Sequence, residues 1–159
     1  MSTRINYNKH APKQVEALMA LESAIAASDI DKNLKDLIKL RASQLNGCLF
    51  CMDMHSKEAI KHEERLLRLI HLPGWRESSL FTDKEKAALE WTELLTKIGA
   101  HGAEDEDFKK ISAHFSEKEV VDLTMAIAAI NAWNRLGVAF RSEPGTFDKF
   151  FGLDKLGLS

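Results

Sequence analysis

The chain has 159 residues, of which 45% are hydrophobic and 29% charged, with a formal net charge of −2 and a pI of about 6.3. That length suits one domain with a buried core across residues 1–159, and a near-neutral balance without a long basic run excludes the electrostatic footprint of a nucleic-acid binder. No apolar stretch approaches the ~18 residues of a membrane span, and Met1-Ser2-Thr3-Arg4-Ile5-Asn6-Tyr7 has no apolar signal-type core, so a cytoplasmic protein with no membrane partner is expected.

Proline occurs only at Pro12, Pro73 and Pro144, each at the edge of a helix-patterned segment, and β-branched residues nowhere alternate over a strand length. The chain therefore reads as all-α, a single-domain helical bundle. A first helix runs from about Pro12 through Val15, Leu18, Met19, Leu21 and Ile25 to a break at Ser28-Asp29. A second begins near Asp31, a good capping residue, and carries Leu34, Leu37, Ile38 and Leu45 at helical spacing before Asn46-Gly47. The third starts at about Cys48 and continues through Ala59 and Ile60. A shorter piece with Leu66, Leu67, Leu69 and Ile70 ends before Pro73-Gly74.

Thr82-Asp83-Lys84-Glu85 is a capping box that opens a helix with Ala87, Ala88, Trp91, Leu94 and Leu95. Glu104 to His114 reads as one more helix. Ser116-Glu117-Lys118-Glu119 is a second capping box, with Phe115 and Val120 placed as a hydrophobic staple. The helix it opens is apolar through most of Val120 to Val138, which predicts burial on more than one side, as in a central helix or a subunit interface. Within it Trp133 reads as core, while Asn134 and Arg135 need polar partners or an interface. Phe147, Phe150 and Phe151 fall at i, i+3 and i+4, a short amphipathic segment suited to docking on the core or on a neighbouring subunit, with core packing expected.

Both cysteines of the chain lie in Asn46-Gly47-Cys48-Leu49-Phe50-Cys51-Met52-Asp53-Met54-His55. At roughly 100° per residue, a helix starting near Cys48 places Cys48, Cys51 and His55 within about 60° of one another. Only a thiolate attacks peroxides, disulfides or metals. A helix N-terminus near Cys48 and an imidazole one turn from Cys51 each lower a thiol pKa, so this spacing leaves open which sulfur is the nucleophile.

Rival readings of the pair are weaker. A zinc site needs four ligands, and no second Cys-x-x-Cys or His-x3-His completes the three offered here. Covalent haem attachment needs histidine directly after Cys51, where Met52 stands. A structural disulfide closing so short a loop removes little unfolded-state entropy. Two inert buried thiols are the remaining reading, but both cysteines of the chain would then share one turn beside a histidine by coincidence. His10, His62, His71, His101 and His114 have no helical-spacing partner that suggests chemistry and read as surface residues. The chain has no Gly-x-Gly-x-x-Gly motif, and neither a cofactor nor a metal is expected.

The run from Leu37 to His55 resembles the signature of the alkylhydroperoxidase D-like branch of the carboxymuconolactone decarboxylase family. The likeness extends to Trp75-Arg76-Glu77-Ser78, to Phe81 through Leu89, and to Ile130-Asn131-Ala132-Trp133-Asn134-Arg135. It implies an all-helical fold of that type, assembly into homo-oligomers, often trimers or hexamers, and a peroxidase role in antioxidant defence. Cys51 would be the thiol that attacks the peroxide, Cys48 the resolving thiol, and His55 part of a proton relay. Family members place a glutamate twelve positions before the first cysteine, where this chain has the shorter Asp36, and a histidine between the cysteines, where it has Phe50. Asp36 would then relay a proton only through water, and the relay here is shorter or built differently.

With no other cysteine and no nucleotide motif, a peroxidase of this kind requires an external dithiol, of a thioredoxin-like or lipoyl protein. Other expectations are a protein disulfide oxidoreductase or redox sensor using the same pair, a non-redox lactone decarboxylase of the same fold, or an interaction protein without thiol reactivity.

Overall fold

The computed structural model describes residues 2–158; Met1, the first residue of the segment without a signal-type core, and Ser159 lie outside them. The chain folds as α1 (Tyr7–His10), α2 (Pro12–Ala26), α3 (Lys32–Asn46), α4 (Leu49–Lys61), α5 (Leu66–His71), α6 (Asp83–Thr96), α7 (Asp105–Ser112), α8 (Glu117–Phe140) and α9 (Asp148–Phe151). Single 3₁₀ turns follow at Leu72–Gly74 and Asp154–Leu156, and there is no strand among the described residues. No helix of the described residues is long and apolar enough to cross a membrane.

The helix starts form by local chemistry. The Asp31 carboxylate accepts from the Leu34 N–H at 3.0 Å. Thr82 and Glu85 exchange backbone and side-chain hydrogen bonds, as do Ser116 and Glu119, so both capping boxes close. Each such cap is worth about 1 kcal/mol. Phe115 and Val120 are both buried, as a staple requires.

Helix α3 lies at the centre, packed on α4, α6 and α8. Leu34 and Ile38 join Trp91, Phe115, Leu123 and Ile127 in one apolar cluster, while Leu37 and Leu40 join Leu72, Trp75, Phe81 and Leu89 in another. A third cluster holds Ala42, Cys48, Cys51 and Ile130.

Two expectations are refined. Helix α8 packs on α2, α3, α4, α6 and α7 through one broad stripe from Val120 to Gly137, and Val121, Met125 and Val138 on its other side are exposed. Within one chain its apolar length therefore forms one wide buried face, with these three side chains left exposed. At the C-terminus the buried residues are Asp148 and Leu153, whereas Phe150 is 73% exposed and Phe147 and Phe151 are half-buried. The three rings do not enter the core. They form an aromatic group over α4, with Phe147 edge-on to Phe50 at 5.9 Å and Phe150 edge-on to Phe151 at 4.9 Å.

Candidate active site

Only two residues, Gly47 and Cys48, separate α3 from α4. Gly47 adopts φ +66°, a left-handed conformation that glycine alone takes without penalty, and it lets the Cys48 N–H return to the Ser43 carbonyl at 3.0 Å. Cys48 is then the extended N-cap of α4, and its sulfur accepts from the Cys51 N–H at 3.4 Å. The two cysteines are joined as a disulfide with their Cα atoms 5.3 Å apart, and each is 1% exposed.

A buried amide network fixes this turn against α8. The Asn46 amide donates to the side-chain oxygens of Asn131 at 2.9 Å and Asn134 at 2.8 Å, and the Asn134 amide donates to the Ser43 hydroxyl at 3.0 Å. Arg135 donates to the carbonyl and side-chain oxygen of Asn131. The polar partners that Asn134 and Arg135 require thus lie within the chain.

Gly137 completes the seat. A Cβ at this position would stand 2.7 Å from the Cys48 sulfur and 3.5 Å from that of Cys51. Glycine inside a helix costs about 1 kcal/mol relative to alanine, and here that cost leaves room for the sulfurs to lie against α8. Sequence reasoning missed Gly137, since only the fold brings it beside a motif almost ninety residues earlier.

Beside the disulfide lies a cavity of about 280 Å³. Helix α4 contributes Phe50, Cys51, Met54, His55 and Glu58 to its wall, α2 contributes Val15, Met19 and Glu22, Tyr7 and Asn8 come from α1 and Lys39 from α3, and Trp133, Phe147, Phe150 and Phe151 complete it. Cys51 is on this wall and Cys48 is not. The C-terminal segment is held over it by Lys57, a buried ammonium bridging Asp53 at 2.8 Å and Asp148 at 2.7 Å, and by Lys61, which donates to the Phe151 carbonyl. Hydrogen bonds from Lys57 to Asp148 and Asp53 raise its pKa above the ordinary lysine value.

Two carboxylate–imidazole pairs flank the thiol helix. Nδ1 of His55 lies 2.7 Å from Glu58 Oε2, and His55 is 4% exposed with its Nε2 buried and without a hydrogen-bond partner among the described residues. Burial pushes the Glu58 carboxyl up, but the hydrogen bond and charge of His55, with Lys39 and His62 nearby, hold it below its ordinary value. Asp36, the residue twelve positions before Cys48, is buried and pairs at 2.6 Å with Nδ1 of His62 rather than with His55. Burial raises its carboxyl above the ordinary value, and His62 offsets only part of that. Asp36 is therefore a buried, paired carboxylate, and His62 is not an idle surface histidine. Glu58 was also missed, although its i+3 spacing from His55 on a helix was a readable signal.

The model of the carboxymuconolactone decarboxylase family matches residues 12–94. YdfG, an uncharacterised protein of Bacillus subtilis (strain 168), is 39% identical over 139 residues, covering 87% of this chain and 95% of its own. The crystal structure of a protein of unknown function from Agrobacterium tumefaciens, ATU0492, suggested to be the antioxidant defence protein AhpD, superposes with a TM-score of 0.87 at 45% identity, covering 91% of this chain and 99% of that one. The debrominase Bmp8 shares the fold alone, with a TM-score of 0.77 at 23% identity over 93% of this chain and 79% of its own.

Proposed function

Because the chain belongs to the alkylhydroperoxidase D-like branch of the carboxymuconolactone decarboxylase family, we propose that it is a thiol-dependent peroxidase reducing hydrogen peroxide or organic hydroperoxides. The observation that carries this reading is the bonded Cys48–Cys51 pair beside an apolar cavity whose wall holds Cys51 and His55.

The cycle starts from the dithiol. His55 takes the Cys51 proton, and the thiolate attacks the terminal peroxide oxygen, so that an S–O bond forms as the O–O bond breaks. The departing oxygen takes the proton back and leaves as an alcohol or water, with Cys51 now a sulfenic acid. The Cys48 sulfur then displaces that hydroxyl, which leaves as water with the Cys48 proton, and the disulfide forms. An external dithiol, on a thioredoxin-like or lipoyl protein, returns two electrons and two protons by thiol–disulfide exchange and becomes a disulfide itself. In this reading Asp36, bonded to His62, acts on the His55–Glu58 pair through its charge rather than by direct contact. A homo-oligomer, trimer or hexamer, working in the reducing cytoplasm belongs to the same proposal.

The test is stopped-flow mixing of the reduced protein with hydrogen peroxide and with cumene hydroperoxide. Disulfide formation faster than oxidation of a free thiol by a factor of one hundred or more (on the order of a general acid–base contribution) is expected. Oxidation at the free-thiol rate overturns the peroxidase reading and leaves disulfide exchange as the use of the pair.

A further inference from the structure

The geometry points to Glu58 as the positioning residue that fixes the tautomer of His55, so that Nδ1 carries the proton and Nε2 presents a free lone pair to the Cys51 thiol. This rests on the reading of His55 as the proton acceptor for Cys51. A glutamate carboxylate is an acceptor only, so an Nδ1 held 2.7 Å from it must be the donor. That leaves Nε2 of a neutral imidazole as the acceptor, and this is the buried nitrogen without a partner among the described residues. Leaving a buried acceptor unpaired is costly, and a nitrogen kept so on a cavity wall shared with Cys51 is available for a proton from the thiol. At its ordinary value of 4.5 the Glu58 carboxyl is already ionised at neutral pH, and, against burial, the hydrogen bond from Nδ1 lowers it further, so the donor direction holds.

The charged groups facing this pair are few. Lys39 and Asp36 come from α3, His62 from the end of α4 itself, and Glu22 from α2, where it is occupied by Lys39 at 2.6 Å. Tyr7 of α1 is the remaining titratable side chain on the cavity wall. Asp36 is hydrogen-bonded to His62, so Glu58 is the carboxylate that contacts His55. The position twelve before the first cysteine carries a carboxylate in this chain, but its contact is with His62, and the carboxylate on His55 comes from the thiol helix itself.

The tautomer is read directly by ¹H–¹⁵N NMR of the oxidised protein at pH 8, with the His55 signals assigned by their loss in His55→Gln. Nδ1–H with an unprotonated Nε2 is expected, and Nε2–H overturns the proposal. The second measurement titrates the Cys51 thiol by iodoacetamide reactivity in Cys48→Ser, with and without Glu58→Gln. A glutamine amide can turn its NH₂ toward Nδ1 and select the wrong tautomer, so the thiol midpoint rises by about one pH unit and reactivity at pH 7 falls about tenfold. Glu58→Asp recovers part of both. An unchanged midpoint in Glu58→Gln means that the pair is only a helix brace. Neither readout involves peroxide, so a protein inert to hydroperoxides still returns an answer on Glu58.

Discussion

The two carboxylate–imidazole pairs of α4 have almost the same geometry, with 2.7 Å between His55 and Glu58 and 2.6 Å between His62 and Asp36. Their surroundings separate them. His55 is buried on the cavity wall one turn from Cys51, and its partner comes from the same helix. The His62 side chain is 33% exposed at the far end of α4, and its partner is a buried aspartate of α3. A short carboxylate–imidazole hydrogen bond is not in itself a catalytic relay. What makes one is the free nitrogen on the side away from the carboxylate, and whether a reacting sulfur is near it.

The largest expected effect contrasts the two histidines. Positioned acid–base groups contribute about 10²–10⁴ in rate, so His55→Gln should slow Cys51 oxidation by a factor in that range, while His62→Gln changes it by less than about threefold. Stopped-flow oxidation of the pre-reduced variants by peroxide decides this, and equal losses would break the distinction between the pairs.

Gly137→Ala sharpens it by disturbing the sulfurs without touching either pair. The added methyl would stand 2.7 Å from the Cys48 sulfur, and overpacking of this kind costs about 1–3 kcal/mol. The urea midpoint of the oxidised protein should fall accordingly. A midpoint raised by the better helix former would show that the sulfurs move aside freely.

The smallest effect is on stability in acid, where the pairs have opposite signs. The Glu58 carboxyl is held below its ordinary 4.5 in the folded protein, so its contribution is complete above that value and is lost as pH falls through the depressed folded one. The Asp36 carboxyl is raised above its ordinary 3.8, so the native state binds its proton more tightly than the unfolded chain does. Its contribution is best at low pH and shrinks as pH rises from 3.8 through the folded value. Urea midpoints between pH 3 and 7 should show Glu58→Gln losing less stability toward acid than wild type, and Asp36→Asn losing more. The same sign in both variants contradicts the assignment.

Features governed by neighbours in sequence were legible. Asp31, the Thr82 and Ser116 boxes and the Asn46-Gly47 stop act over three or four residues, and each element they start or end is present. The i, i+3, i+4 spacing likewise places Cys51 and His55 together on one cavity wall. What could not be read depends on chain crossings. Gly137 matters only because α8 passes the disulfide, and the 2.6 Å contact of Asp36 with His62 exists only because α3 and α4 are antiparallel neighbours joined by the two-residue turn Gly47-Cys48. The phenylalanines of the C-terminal segment have helical spacing suited to a core, but Asp148 is drawn inward by Lys57 and turns Phe150 outward. A buried ion pair overrode the apolar pattern there.

The central claim, that Cys51 is the sulfur poised for attack, is tested most directly by trapping the sulfenic acid with dimedone after one turnover with cumene hydroperoxide and locating the label by mass spectrometry. Label on Cys51 in Cys48→Ser and none in Cys51→Ser is the predicted result. Label on Cys48 in Cys51→Ser, with none in Cys48→Ser, would contradict it and assign the attack to the sulfur at the helix N-terminus.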